Sequence, residues 1–328
     1  MPATPSILDL DRFNTVVVTG GAGFIGSRVC EMLLDAGHQL RVIDCFTNYY
    51  DRAVKERNLT AIRDHPNFQL HELDLATADL SAAIDGASVV LHLAAMPGLV
   101  RSWTDVAAYS HCNVVATARL LQAVTDHAPA ARFVQVSTSS VYGLDATGDE
   151  TTPLKPASPY GVTKLAAEHL CSLYAENWGV DTVALRYFTV FGPRQRPDMS
   201  IHRLCEAVGT GASFPRFGDG KQVREFTYVS DIVAANLLAG DAEVEPGIAM
   251  NIAGGGEITL NELIAMVGHI AGTELTIEDH PAQAGDARRN GGATDRAHEL
   301  LGWEPSVSLR DGISAQLAWH DDRRRVSV

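Results

Sequence analysis

A β-branched run, Val16-Val17-Val18, ends at Gly20-Gly21-Ala22-Gly23-Phe24-Ile25-Gly26, and an apolar helical pattern takes over through about Ala36. Few features narrow the choice of fold as much. A short buried strand, a glycine turn and a helix opening at that turn make the first half of a βαβ unit. The glycines let backbone N–H groups approach a pyrophosphate, and the helix N-terminus adds partial positive charge. The next strand pattern, residues 39–44, ends on an acid. Asp44 stands where a carboxylate accepts from both hydroxyls of an adenosine ribose. It would repel a 2′-phosphate, which favours NAD over NADP.

The alternation continues. Strand patterns fall at residues 68–71, 88–93, 132–136 and 181–186, with helical patterns at 53–63, at 106–126 and from Tyr160 onward. Strand and helix in turn indicate an α/β fold with a doubly wound parallel sheet of Rossmann type. Asp74-Leu75 follows the third strand, and Leu93-Ala94-Ala95 closes the fourth with side chains small enough for a flat cofactor to lie close. His92, inside an apolar run, reads as a packed core histidine. Beyond Arg186 the texture changes to a basic, proline-bounded loop at 192–197, a turn-rich stretch at 214–220 and an extended stretch at 223–229. Helical patterns follow at 200–208, 231–239, 260–270 and 309–320, and the run Asp321-Asp322-Arg323-Arg324-Arg325 reads as a solvated tail.

Chemistry gathers at Tyr160-Gly161-Val162-Thr163-Lys164. Four residues apart on a helix, a phenol and an ammonium share one face. A free tyrosine has a pKa of roughly 10 and is a poor base at neutral pH. A nearby positive charge stabilises the phenolate, so the pair can take a proton from an alcohol. Upstream, Ser137-Thr138-Ser139-Ser140 stands at the carboxyl end of the fifth strand, where open α/β sheets bind their ligands.

The net charge of −14 argues against a nucleic-acid backbone or an anionic membrane as partner, though a few local arginines suffice for a phosphorylated small molecule. Five scattered cysteines form no CxxC, and the twelve histidines show no metal-ligand spacing, so reduced thiols and no metal site are expected. Residues 1–13 carry no apolar segment of signal-peptide type and no run is long enough to span a bilayer, so a cytoplasmic protein is expected.

The glycine loop, Asp44, the Thr138 hydroxyl and Tyr160-x-x-x-Lys164 together resemble an extended short-chain dehydrogenase/reductase, from Val16 to about Trp319. Within that superfamily the chain is similar to NAD-dependent nucleotide-sugar epimerases and dehydratases. Val141-Tyr142-Gly143, Arg186-Tyr187-Phe188 and Arg224-Glu225-Phe226-Thr227-Tyr228-Val229 are family-like phrases. The resemblance implies a cofactor domain at residues 1–188 and 228–253, and a nucleotide-sugar domain at 189–227 and 254–328. It implies Thr138, Tyr160 and Lys164 as the catalytic set. For NAD it implies Gly20, Gly23, Phe24, Ile25, Gly26, Asp44, Asn48, Asp74, Leu75, Leu93, Ala94, Ala95, Asn113 and Tyr187, with Tyr160 and Lys164 also touching it. A homodimer through helices 106–126 and 160–177, packed as four helices, is likewise implied and fits their apolar content.

What stands beside Thr138 separates the subfamilies. The 4,6-dehydratases carry an Asp-Glu pair there, and UDP-glucuronate decarboxylases an acid nearby, whereas this chain has Ser139 and Ser140. Epimerisation at C4 needs no such acid. The stretch from Phe188 to Met199 resembles the UDP-glucuronate 4-epimerase phrase, and UDP-glucose epimerases usually have Asn where Thr189 stands. Ser139, Ser140, Thr189, Arg196, Phe217, Arg224 and Asp286 are the implied contacts to a UDP-sugar, Arg224 at the diphosphate and Phe217 beside the uracil. Two departures stand out: Arg101 is shifted by one position, and Gln283 replaces the arginine of an Arg-x-Gly-Asp phrase. Three other readings stay open: a UDP-glucose 4-epimerase, a dehydrogenase releasing NADH, and a non-catalytic dinucleotide sensor.

Overall fold

The computed structural model describes residues 12–254, 256–282 and 287–326. Seven strands form one parallel sheet. They are β1 (Thr15–Thr19), β2 (Gln39–Ile43), β3 (Phe68–His71), β4 (Val89–His92), β5 (Arg132–Thr138), β7 (Asp181–Tyr187) and β11 (Ile248–Ile252), in the spatial order β3-β2-β1-β4-β5-β7-β11. The order reverses between β1 and β4, and that switch point opens a crevice at the carboxyl ends of the strands.

Alternate residues of β1 point to opposite faces, as strand geometry requires. Val16 and Val18 join Leu33 of α1 (Phe24–Asp35) and Ile232 of α9 (Val229–Asp241) on one face. Val17 joins Ile84 of α3 (Ser81–Ile84), Leu120 of α6 (Ala116–His127) and Cys171 of α7 (Pro159–Trp178) on the other. A third core lies apart from both. It packs Leu204 of α8 (Ser200–Thr210), Leu263 of α10 (Leu260–Ala271) and Ile313 of α12 (Leu309–Val326) with Phe191 and Phe214. Short strands accompany it: β6 (Asp145–Gly148), β8 (Thr189–Phe191), β10 (Val223–Tyr228), β12 (Glu257–Thr259) and β14 (Arg289–Gly292) share a small sheet, and β9 (Phe214–Phe217) pairs with β13 (Ile277–His280). The remaining helices are α2 (Arg52–Leu59), α4 (Leu99–Ser102), α5 (Val106–Ser110) and α11 (Asp295–Leu301).

Several expectations need correction. The helix expected at 106–126 is α5, then a five-residue π turn over His111–Val115, then α6. The wider turn carries the buried Asn113, whose amide accepts from Met96 N–H and donates to the Met96 carbonyl and to Thr163 Oγ1. The expected solvated tail is the last turn and a half of α12. There the Arg323 guanidinium lies 4.6 Å over the Trp319 ring, and Arg324 folds back against Gly209 while pairing with Asp321. Most of the short strands after residue 188 carry no sequence alternation long enough to announce them.

One buried ion pair sets the register of α7 on the sheet. Glu168 pairs with Arg186 of β7, and both side chains are nearly inaccessible. The same carboxylate accepts from Ser137 Oγ of β5 at 2.8 Å, and Arg186 also donates to Tyr142 Oη at 2.8 Å. Removing one member strands the other charge in the interior, which costs about 3–5 kcal/mol, whereas removing both is often close to neutral. Glu168→Leu should therefore lower the unfolding free energy by about 3–5 kcal/mol in urea titrations. The double variant Glu168→Leu/Arg186→Met should recover most of that loss. A single variant within about 1 kcal/mol of the parent would show that the pair does not hold α7.

Candidate active site

The switch point holds a cleft of about 370 Å³. Its floor at one end is the glycine turn after β1. Gly20 has φ +70°, and a Cβ there would stand 2.7 Å from the Ala94 backbone nitrogen, so only glycine lets the loops after β1 and β4 meet. Asp44, one residue past β2, is buried and accepts from Ala22 N–H at 3.1 Å and Phe46 N–H at 2.8 Å. A cation that sequence reasoning missed stands beside it: Lys55 Nζ is 3.5 Å from Asp44 and 3.2 Å from Thr47 Oγ1, and it is buried too. Lys55 lies on the polar helix α2, where its position gives no signal of its own.

The other end of the cleft carries the ionisable groups. Ser158 caps α7 by accepting from Gly161 N–H, and Pro159 opens the helix, so Tyr160 sits in its first turn. A Cβ on Gly161 would come 2.6 Å from the Ser140 carbonyl, so glycine brings this turn against the segment after β5. Burial pushes the Tyr160 phenol upward, and a hydrogen bond with Thr138 and the charge of Arg196 oppose that push. Tyr160 is only half-buried, and it lines the cleft. The charge that opposes the push is that of Arg196. Lys164 is itself buried, and desolvation lowers it from 10.5 to about 8, with Cys171 and Glu168 opposing.

Arg196 is not a free fork. Its Nε and Nη2 each donate to Asp198 at 3.0 Å, and Asp198 accepts from Tyr49 Oη at 3.2 Å. The Tyr49 ring has the Arg196 guanidinium 5.7 Å from its centroid and that of the shifted Arg101 at 5.4 Å. Tyr49 and Asp198 were not legible beforehand: they lie 149 residues apart and meet only across the cleft.

Of the residues expected at the cofactor, Gly20, Gly23, Phe24, Ile25, Gly26, Asp44, Asp74, Leu75, Leu93, Ala94, Ala95, Tyr160, Lys164 and Tyr187 line the cleft. Asn48 does not: it is exposed, although Thr47 and Tyr49 on either side do. Asn113 does not either, because its amide is spent on Met96 and Thr163 behind the wall. Thr138, Ser139, Ser140, Thr189, Arg196 and Arg224, expected at the sugar nucleotide, line the cleft as well. Phe217 is not among the lining residues; it lies in β9 with its ring 5.2 Å from that of His280. Asp286 and Gln283 lie outside the described residues. His92 is a core residue between Thr19 Oγ1 at 2.7 Å and Thr117 Oγ1 at 3.0 Å, and burial lowers it to about 3.

Residues 16–253 match the NAD dependent epimerase/dehydratase family. The chain belongs to that family. It is 38% identical over 307 residues to a Bacillus subtilis protein named as an uncharacterized UDP-glucose epimerase, across 93% of this chain and 97% of the relative. It is 33% identical over 311 residues to the UDP-glucuronate 4-epimerase of Thermodesulfobacterium geofontis, across 92% and 95%. The solved structure of UDP-glucuronic acid 4-epimerase from Bacillus cereus, in complex with UDP-glucuronic acid and NAD, aligns with a TM-score of 0.91 at 36% identity, over 94% of this chain and 99% of the other. The residues present fit the family's cofactor: a glycine cradle that a Cβ would fill, a helix N-terminus above it, and a buried carboxylate at the end of β2.

Lys164 gives this site a pH signature in the cofactor-stripped protein. Below about pH 8 the ammonium is charged in both folded and unfolded chains, and the cost of burying it is fully present. Between about 8 and 10.5 the folded chain loses the proton first, so the unfolded chain holds more protons and stability rises with pH. Lys164→Met should unfold later than the parent at pH 7, by on the order of 3 kcal/mol, and the gap should shrink below about 1 kcal/mol by pH 10. Urea titrations at the two pH values measure this, and a gap that does not change with pH would refute the buried ammonium.

Proposed function

We propose that this protein epimerises UDP-glucuronate at C4, giving UDP-galacturonate. The observation that carries the reading is the shelf of neutral hydroxyls, Thr138, Ser139 and Ser140, lining the cleft with Tyr160 where a dehydratase needs an acid pair. The relative that acts on UDP-glucuronate and the solved complex with that sugar nucleotide support it. NAD, when bound, supplies reversible hydride acceptance at the sugar carbon. The chain's own task is the proton. Tyr160, as phenolate, takes the C4 hydroxyl proton directly or through Thr138 and later returns it, and Arg196 favours the anionic phenol. Arg224 anchors the diphosphate while the sugar turns over, and residues 189–227 and 254–328, which carry their own apolar core, form the sugar-nucleotide half.

Oxidation at C4 places a ketone β to the C6 carboxylate, and such acids lose CO₂ when the breaking bond stands perpendicular to the carbonyl plane. An epimerase must keep the carboxylate out of that alignment. Ser139, Ser140 and Thr189 offer neutral hydrogen bonds, and Arg196 a planar cation. Asp198 cancels part of that charge, which favours a second reading, UDP-glucose, also supported by the Bacillus subtilis relative. Incubation with UDP-glucuronate, UDP-glucose and UDP-N-acetylglucosamine, with the epimers resolved chromatographically and Tyr160→Phe as the inactive control, separates the two. Arg196→Ala should lower kcat/KM for both substrates by weakening the Tyr160 phenolate, and for UDP-glucuronate by about 2–4 kcal/mol more than for UDP-glucose. Equal losses on both substrates would remove the case for a glucuronate pocket.

The proposal includes a homodimer in the cytoplasm. Val106 and Val115, at the start of α5 and the end of the π turn, and Val162, Leu173 and Trp178 on α7 are exposed, and the two helical segments pack side by side. The five cysteines are unpaired, and no described helix is long and apolar enough to cross a membrane. Sedimentation at about 10 µM should give a dimer, and Leu173→Asp should give a monomer; a monomeric parent would exclude the interface.

A further inference from the structure

His202 and Glu206 stand one turn apart on α8, and His320 reaches them from α12. One donor atom from each lies within 4.8 Å of one from each of the others. Glu206 and His320 are 114 residues apart, so spacing could not announce the group, and the expectation that the histidines form no metal-ligand grouping does not survive folding. None of the three lines the cleft.

The hydrogen bonds leave each imidazole one lone pair. Nδ1–H of His202 donates to the Gln195 carbonyl at 2.7 Å, which leaves Nε2 unprotonated in the neutral ring. Nδ1–H of His320 donates to Glu206 at 2.7 Å, and its Nε2 is buried without a hydrogen-bond partner in a side chain that is 1% exposed. For His202 the Gln195 carbonyl on Nδ1 fixes the tautomer, as an outer partner does for a metal-binding histidine. An orphaned buried lone pair is costly, and a cation would satisfy it.

We propose that His202, Glu206 and His320 bind one borderline divalent cation of the Zn²⁺ class, clipping α8 to α12. Two imidazoles and a carboxylate are a zinc donor set that leaves a position for water, and they do not suit Mg²⁺ or Ca²⁺, which seek oxygen ligands. Tetrahedral ligands at about 2.0–2.1 Å stand roughly 3.3 Å apart, so the donors must draw together, and Glu206 must leave Nδ1 of His320 for the Nε2 side of the ring. The half-exposed Glu206 side chain has room to do so.

The test uses the full chain after chelator treatment, titrated with Zn²⁺ against a chromophoric chelator, and with Co²⁺ for its visible absorption. The expected result is one Zn²⁺ per chain with Kd below about 1 µM, tetrahedral Co²⁺ bands and a raised Tm. His320→Gln and the surface variant Glu206→Gln, each checked for native circular dichroism, should weaken binding by at least about tenfold. Absence of binding in this range, or equal binding by parent and both variants, would overturn the proposal. Neither readout depends on turnover, so the result stands apart from the epimerase reading.

Discussion

The contact between Glu168 and Arg186 is the one on which the geometry of the cleft rests. Tyr160, Lys164 and Glu168 follow one another at four-residue intervals on α7, so they share a face. The carboxylate at the third position is held by Arg186 from β7 and by Ser137 from β5. Ser137 is the residue before Thr138. The register that satisfies Glu168 therefore also sets Tyr160 near Thr138, two helical turns away. A slip of one residue would break the ion pair and rotate the phenol away from the cleft. Because the pair is buried, its removal is costly in a way that a surface pair's would not be.

The same arrangement explains the electrostatics. Glu168 is spent on Arg186, so Lys164, one turn earlier, keeps only its indirect attraction and loses much of its solvation. An ammonium held near neutrality beside the cleft is a poised group, in that small changes in what surrounds it shift its charge. Tyr160 stands under the opposite pressure, with burial favouring the neutral phenol and Arg196 favouring the anion. Arg196 in turn is shared with Asp198 and Tyr49. The charge available to the phenol depends on residues from both halves of the chain, and the cleft works only when the two halves meet.

Where the chemistry is local in the chain, the sequence was legible. The glycine turn, Asp44 and Tyr160-x-x-x-Lys164 each depend on neighbours within a few residues, and Gly20, Gly23, Gly26, Asp44, Tyr160 and Lys164 line the cleft. The parallel sheet was legible for the same reason, since each βα unit announces itself. Family-like phrases such as Val141-Tyr142-Gly143 and Arg186-Tyr187-Phe188 were visible as words, but not as the one network that Tyr142, Arg186 and Glu168 make. Contacts that belong to no motif left no trace, whether near in the chain, as Lys55 beside Asp44 and Gln195 beneath His202, or distant, as Asp198 beside Tyr49. Asn113 sits in a π turn that periodicity cannot show, and its amide is engaged by Met96 and Thr163. Phe217 shows a limit of local pattern. Its phrase is turn-rich and reads as a loop, yet it is a strand tied to β13.

Substrate choice in such a cleft is a question of how much charge is left over. A carboxylated sugar brings its own negative group, and burying it needs a cation or several well-placed donors. Ser139 already accepts from Asn290 at 2.9 Å, and Ser140 accepts from Thr138 at 3.3 Å, so each hydroxyl has an internal partner and still has a proton to offer. Arg196 has its fork on Asp198, which also accepts from the Tyr49 hydroxyl. For a carboxylate to displace Asp198 it must compete with an equal charge already in place. For it to bind beside the pair, the hydroxyls must do most of the work. Neutral donors hold a carboxylate in position without localising its charge on one oxygen, and that is the kind of grip which keeps the C5–C6 bond away from the alignment that releases CO₂.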